Sequence, residues 1–137
     1  MSRAGQLAAH AFVLGLSLGA PSGAPAQTAG TSWQGTPASI LKSSLRTVVA
    51  AQDKYRASHP AYASTMEALQ LKADADVKIQ ILSVTPNGWR AKASHRARPG
   101  RSCVVFVGVV TSSELPKTDG DGEMAGEERV PLCDRME

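Results

Sequence analysis

Apolar and polar residues recur along the chain with two different periods, which separate a helical segment from a sheet. After Thr36, apolar side chains recur at steps of three and four residues as far as Tyr55, with Gln52 as the exception. This spacing places them on one face of an α-helix. Thr36 and Pro37 are typical of the first helical positions, and Pro60 disfavours a helical residue before it. We predict an amphipathic helix of about 20 residues that packs one face on a core.

A short second helix is predicted directly after the first. Ser64 and Glu67 have the spacing of a capping box, in which each side chain accepts a hydrogen bond from the backbone N–H of the other residue. Leu69 and Leu71 would give this helix an apolar side.

A hairpin follows, because apolar residues alternate with polar ones from Val77 to Ile81. Pro86-Asn87-Gly88 then predicts a tight turn, since Asn-Gly tolerates the positive φ angles of a type I′ turn. We expect the return strand to run from Trp89 to about Arg96.

The run from Cys103 to Val110 is almost wholly apolar, which is typical of a central strand covered on both faces. Residues 130–133 then return to the body of the domain. The patterns together predict an α+β fold, with an N-terminal amphipathic helix packed on an antiparallel sheet of three or four strands.

The first residues have the pattern of a cleavable signal peptide. Arg3 precedes an apolar run from Leu7 to Ala20, and Ala24-Pro25-Ala26 supplies the small residues of a cleavage site. A membrane anchor is the alternative, but this run of about 14 residues is shorter than the roughly 20 that a spanning helix needs. We predict a signal peptide over residues 1–26, a flexible linker over 27–35 and one domain over 36–137.

Cys103 and Cys133 both lie in the predicted mature chain. An even number of cysteines in a small exported domain predicts a disulfide bond. Two free thiols and a metal site are the alternatives, and two lone cysteines lack the paired spacing of zinc sites. The expected location is therefore periplasmic or extracellular, with no stable membrane anchor after cleavage.

Charge is distributed unevenly around a net charge of +3. Residues 36–101 carry eleven basic and four acidic side chains, whereas residues 102–137 carry three basic and eight acidic ones. The predicted second strand and the residues after it hold a possible polyanion surface, because basic residues at even positions share one face of a strand. These residues are Arg90, Lys92, Arg96 and Arg98.

The acidic loop, residues 118–128, is the other charged region. Asp119, Asp121 and Glu123 alternate as in an EF-hand, but Met124 stands where that loop requires glycine, and Val130 where it requires glutamate. A solvated acidic turn is the expected structure, and calcium binding stays open.

Several short motifs resemble the globular part of type IV pilins and pseudopilins. Ala51 to Tyr55 is similar to the Ala-Gln-x-x-Tyr end of the pilin helix, and Tyr62-Ala63-Ser64 to the turn that follows it. Gly88 to Ala93 resembles a Gly-Trp-x-Ala-x-Ala strand. Cys103 and Cys133 match the paired cysteines that bound the family's C-terminal region. The resemblance covers residues 38–134 and implies a pilin-like head.

The chain departs from that family at its beginning. Pilins start with a long apolar helix that carries an early glutamate and forms the filament core, whereas no acidic residue precedes Asp53 here. We therefore expect a soluble exported module, and whether it enters a filament stays open.

No constellation in the sequence predicts catalysis. His59 and His95 are the histidines of the predicted mature chain, and no Gly-x-Ser-x-Gly elbow or phosphate-binding glycine loop is present. We predict no enzyme activity, no catalytic residue, no cofactor and no metal. The expected function is an interaction module with protein partners, such as pilus or type II secretion components. The alternative is an exported protein that binds DNA or another polyanion through the basic strand face.

Overall fold

A computed structural model describes residues 35–136. The predicted signal peptide and most of the predicted linker lie outside the described residues. The elements, in chain order, are α1 (Pro37–Ser58), β1 (Val77–Thr85), β2 (Gly88–His95), β3 (Ser102–Gly108), a 3-10 turn (Ser112–Glu114) and β4 (Leu132–Cys133).

Helix α1 begins and ends where the sequence predicts. The Thr36 hydroxyl accepts a hydrogen bond from the Ser39 backbone N–H at 3.2 Å, and Pro37 occupies the first turn. The helix ends at Ser58, and the next residue, His59, is the C-cap and has an extended backbone. The helix buries Leu41, Leu45, Val48, Val49 and Gln52.

The four strands form one antiparallel sheet in the order β1-β2-β3-β4, and α1 packs on one face of it. The chain is thus of the α+β class. Strand β3 is an inner strand, and its residues from Ser102 to Val107 are all buried. The prediction of a strand covered on both faces is confirmed.

Two apolar clusters cover the two faces of β3. On the helix side, Cys103, Val105 and Val107 join the core beneath α1. On the other side, Val104 and Phe106 pack with Ala125 from the long segment between β3 and β4. The segment that contains the acidic loop therefore serves as the second layer over β3.

The β1–β2 hairpin is present, but its turn is not the predicted Asn-Gly type I′ turn. Thr85 pairs with Gly88, so Pro86 and Asn87 occupy the centre, and neither has a positive φ. Proline fixes φ near −65°, which is incompatible with a type I′ turn. Glycine at position 88 allows β2 to approach β3 closely, because a Cβ there would clash with the Val107 carbonyl oxygen.

The predicted second helix is wrong: residues 64–70 form bends and turns. The residue that caps this segment is Thr65, whose hydroxyl accepts a hydrogen bond from the Ala68 N–H at 3.1 Å. Gln70 has a φ of 55°, which ends any helical continuation. A segment this short makes too few hydrogen bonds to offset the cost of helix nucleation.

The predicted disulfide between Cys103 and Cys133 is confirmed, and it joins β3 to β4. The two cysteines lie directly opposite each other in the β3–β4 register. Because β4 has only two residues, the covalent bond adds to a short strand pairing in holding the C-terminal segment to the sheet.

Gln52, the polar exception in the apolar stripe of α1, is completely buried. Its side-chain Nε2 donates to the Ala63 carbonyl oxygen at 2.7 Å, and its Oε1 accepts from the Ala63 N–H at 2.9 Å. Ala63 is a buried loop residue, and among the described residues its backbone has no strand or helix partner. The side-chain amide of Gln52 thus supplies the hydrogen bonds that the Ala63 N–H and carbonyl need. This pair fixes the chain after α1 against the helix.

Gln52→Leu is expected to lower the free energy of unfolding by about 2 kcal/mol, because it leaves the Ala63 N–H and carbonyl unpaired in the core. Urea unfolding followed by circular dichroism measures the loss. Gln80→Leu is the control, since Gln80 is an exposed residue of β1. Equal stabilities of Gln52→Leu and the unmodified protein would contradict the role assigned to this side chain.

Candidate interaction surface on the open sheet face

The predicted basic surface lies on the face of the sheet that α1 does not cover. Along β2, Trp89, Ala91 and Ala93 belong to the core beneath the helix. Side chains alternate between the faces of a strand. Arg90 and Lys92 therefore lie on the opposite face, as the sequence predicts.

Both of these cations have partners within the domain. The Arg90 Nε donates to the Ser83 hydroxyl at 2.8 Å, and one of its terminal nitrogens donates to the Glu114 carbonyl oxygen. Lys92 Nζ lies 3.0 Å from Asp119 Oδ1. Both side chains are therefore held by contacts within the domain, and the charge of Lys92 is paired with the acidic loop.

Arg96 and Arg98 do not continue the strand face, because β2 ends at His95. A turn follows, in which the Arg98 N–H donates to the His95 carbonyl oxygen. Arg96 pairs with Asp76 at 3.2 Å, and Arg98 Nε donates to the Met136 carbonyl oxygen at 2.9 Å. The expectation of four basic side chains on one strand face needs correction: two lie on β2 and two lie in the turn.

The acidic loop approaches the basic residues closely. Besides the Lys92–Asp119 pair, Arg101 Nη1 lies 2.6 Å from Asp121 Oδ1. These ion pairs are partly exposed, so each contributes only about 0–1 kcal/mol to stability. Their main consequence is that two of the cations available to a polyanion are already neutralised.

The buried carboxylate of Asp134 organises this loop, and the sequence alone did not single it out. Its Oδ2 accepts hydrogen bonds from the Ser102 and Gly120 N–H groups, each at 2.8 Å, and its Oδ1 accepts one from the Asp121 N–H at 2.6 Å. Asp134 is only 3% exposed. The sequence feature that could have identified Asp134 is its position directly after Cys133, because the predicted disulfide fixes the backbone there.

Burial by itself raises the pKa of Asp134, but hydrogen bonds outweigh it and leave the pKa below its ordinary value. The donors are the Thr118 hydroxyl and the N–H groups of Asp121, Ser102 and Gly120. The pKa of Asp121 is also lowered, chiefly by the Arg135 N–H and by Arg101. Both groups therefore stay ionised in mildly acidic solution.

The carboxylates of the acidic loop are used as acceptors within the domain. Asp119 binds Lys92, while Asp121 binds Arg101 and the Arg135 N–H. Within residues 35–136, no three acidic, histidine or cysteine side chains are grouped so that they could hold a metal ion.

The two candidate histidines make local contacts. His59 stacks on Tyr55 with a ring-centroid distance of 3.8 Å, and its Nδ1 donates to the Tyr55 carbonyl oxygen at 2.8 Å. The Nδ1 of His95 accepts a hydrogen bond from the Ala97 N–H at 3.1 Å. These contacts cap the end of α1 and the turn after β2.

Because the basic face is partly neutralised, we expect this protein to bind DNA only weakly. Phosphate contacts need free cations, and each one formed releases counterions and makes binding sensitive to salt. A salt titration of binding to single- and double-stranded DNA measures the affinity. Sub-micromolar affinity near physiological salt, lost when Arg90, Lys92 and Arg96 become alanine, would contradict this expectation.

A matched control separates a specific surface from general charge. Lys42, Arg46 and Lys54 lie on α1, which packs on the other face of the sheet. Their replacement by alanine removes the same charge as the triple change on the basic face. Equal losses in both variants would indicate nonspecific attraction.

Comparison with known proteins adds no relative: no protein-family model matches the chain, and no curated protein matches it significantly. Among the described residues, no helix is both long enough and apolar enough to cross a bilayer. The disulfide is compatible with the oxidising compartments into which proteins are exported.

Proposed function

We infer that this protein is an exported, non-enzymatic interaction module whose domain is a soluble version of a pilin head. The observation that carries the proposal is a single long helix packed on a four-stranded antiparallel sheet, with a disulfide closing the C-terminal segment. This arrangement agrees with the order of elements in the family that the sequence motifs resemble.

Two contacts give the resembling motifs a structural purpose. Gln52, from the Ala-Gln-x-x-Tyr motif, binds Ala63, from the Tyr-Ala-Ser motif. Trp89, from the Gly-Trp motif, is buried in the core beneath α1. The motifs therefore stabilise the connection between helix and sheet, which supports a shared head structure.

The proposed role is accessory to an assembly. Residues 1–26 have the composition of a signal peptide and lack the early glutamate of a polymerising pilin helix. The proposed partners are protein subunits of a type IV pilus or a type II secretion system. The proposed location is the periplasm or the cell exterior.

The exported protein is expected to begin at Gln27, because cleavage after Ala26 fits the small residues that signal peptidase reads. Intact-mass analysis of protein from the periplasm and the culture medium identifies the N-terminus. Cyclised Gln27 would appear as a loss of ammonia from that mass. A mature form that retains Leu7 to Ala20 would indicate an anchor and would reopen the filament interpretation.

Deletion of the gene is expected to reduce either surface pili or the level of secreted type II substrates, because the proposed partners belong to those assemblies. Electron microscopy counts the pili, and assays of the culture medium measure secretion. The full chain should restore the lost phenotype, whereas a chain without residues 2–26 should not. Unchanged pili and secretion in the deletion strain would contradict the accessory role. Neighbouring genes for pilus or secretion components would support it.

The polyanion-binding alternative has less support. Lys92 is paired with the acidic loop, and Arg96 with Asp76, so a continuous basic stripe is not available. The DNA titration described above distinguishes this alternative from a protein-interaction role.

A further inference from the structure

A cleft of about 460 Å³ lies at the end of the sheet where β1 begins and β2 ends. Lys78 and Ser94 lie opposite each other in the β1–β2 register, on the face away from α1. Arg96, Arg98 and Arg101 line it from the turn between β2 and β3. Strand β1 and the turn that follows β2 thus bring cationic donors to one concave site.

The side chains of this cleft carry an excess of positive charge. Four cationic side chains and two acidic ones, Asp76 and Asp119, line it. Arg96 is paired with Asp76 and Arg101 with Asp121. In the described part of the chain, the unpaired positive charge therefore belongs to Lys78 and Arg98. Among residues 35–136, no carboxylate lies within ion-pair distance of Lys78 or Arg98. The partners of Arg98 are the carbonyl oxygens of Met136 and Ala97, which do not cancel its charge.

Two of the arginines are held in position before any ligand arrives. The Nε of Arg98 is fixed by the Met136 carbonyl, and Nη1 of Arg101 is fixed by Asp121. Arg101 also lies against the loop backbone at Gly120, where a Cβ would come within 2.6 Å of its Nη1. Donors that are already ordered lose less conformational entropy when they bind an anion.

We propose that this cleft binds a small oxyanion of the phosphate type. Guanidinium groups match the geometry of phosphate oxygens, and a lysine and a hydroxyl supply further donors. Among the described residues, no phenylalanine, tyrosine or tryptophan lines the cleft, so a nucleobase lacks the large stacking platform that these side chains provide. The site shares Arg96 and Arg98 with the predicted DNA surface. It differs from that surface because it uses Lys78, Ser94 and Arg101 in place of Arg90 and Lys92 and takes a compact anion.

Inorganic pyrophosphate is the probe, titrated into the oxidised exported protein at low salt and followed by amide chemical shifts in NMR. The expected result is saturable one-site binding with a Kd of about 1 mM or tighter. The shifts should centre on Lys78, Ser94 and residues 96–101. No saturation up to about 10 mM would overturn the proposal.

Lys78→Gln and Arg98→Gln are each expected to weaken binding roughly tenfold, because each removes a charged donor. Lys78 is exposed and has no carboxylate partner among the described residues, so its replacement should leave the unfolding midpoint unchanged. Arg46→Gln and Lys54→Gln on α1 remove the same charge outside the cleft and should change the Kd less than about twofold. Equal weakening by the control variants would overturn the proposal.

Gly120→Ala adds a sharper test, because it displaces Arg101 while keeping every charge of the cleft. It should also weaken pyrophosphate binding by several fold. A Kd unchanged in Gly120→Ala and in Arg101→Gln would overturn the assignment of Arg101 to the site.

The choice of a compact anion has its own test. Tighter binding of duplex DNA than of pyrophosphate through the same residues would overturn this specificity. The pilin-like interaction role is tested by the deletion strain and stands or fails separately.

Discussion

Replacing both Cys103 and Cys133 by alanine is expected to lower the free energy of unfolding by roughly 3.5 kcal/mol. The bond closes a loop with a sequence separation of 30 residues, and its removal restores chain entropy to the unfolded state. The loss also releases β4, which has only two residues to pair with β3. Urea unfolding of the double variant and of the oxidised protein measures the difference.

Reduction of the unmodified protein provides a matched control. Dithiothreitol should destabilise it by about the same amount as the double substitution, and it should have no effect on the variant. Quantitative labelling of both thiols in the native, unreduced protein would show that the bond is absent. A stability loss below about 1 kcal/mol would show that the C-terminal segment is held chiefly by packing and hydrogen bonds.

The sheet and helix were predictable because their signals are periodic and local. Apolar residues at helical spacing marked α1, and the alternation after Val77 marked β1. The unbroken apolar run after Ser102 marked β3 as an inner strand. Each of these patterns reports which side of an element is buried, and that property decides the element's place in the fold.

Two local predictions failed because a competing local effect was stronger. Pro86 lies at the centre of the hairpin turn, and its fixed negative φ excludes the positive φ angles of the predicted type I′ turn. The capping box at Ser64 was followed by too few residues to form a stable helix, and Thr65 caps a turn there instead. In both cases the residues next to the motif decided the outcome.

The candidate site depended on contacts that sequence periodicity does not describe. Even spacing predicted a common face for Arg90 and Arg96, but β2 ends between them. The pairing of Lys92 with Asp119 joins residues that are 27 positions apart. Sequence could show that two opposite charges exist in the domain, but only the tertiary structure shows that they meet.

Asp134→Asn is expected to lower the free energy of unfolding by about 3 kcal/mol at neutral pH. The carboxylate accepts hydrogen bonds from the backbone of Ser102, Gly120 and Asp121, and all three donors point at it. An asparagine of the same size offers one acceptor oxygen and turns an N–H₂ group toward these donors. The acidic loop should therefore detach from β3 in this variant.

Acid should weaken the unmodified protein through the same group. The pKa of Asp134 is lower in the folded protein than the value of about 3.9 expected when it is unfolded. Its contribution to stability is therefore fully present above about pH 4 and is lost as the pH falls through the folded pKa. Asp121 and Glu114, whose pKa values are also lowered, should add to the same acid sensitivity.

Urea unfolding between pH 2 and pH 7 tests both expectations. The gap between the unmodified protein and Asp134→Asn should be largest near neutral pH, and it should narrow in strong acid, where Asp134 itself becomes protonated. Asp119→Asn is the control, because that side chain is 42% exposed and its pair with Lys92 contributes less than about 1 kcal/mol. A gap that does not depend on pH would mean that Asp134 acts through its shape and not through its charge.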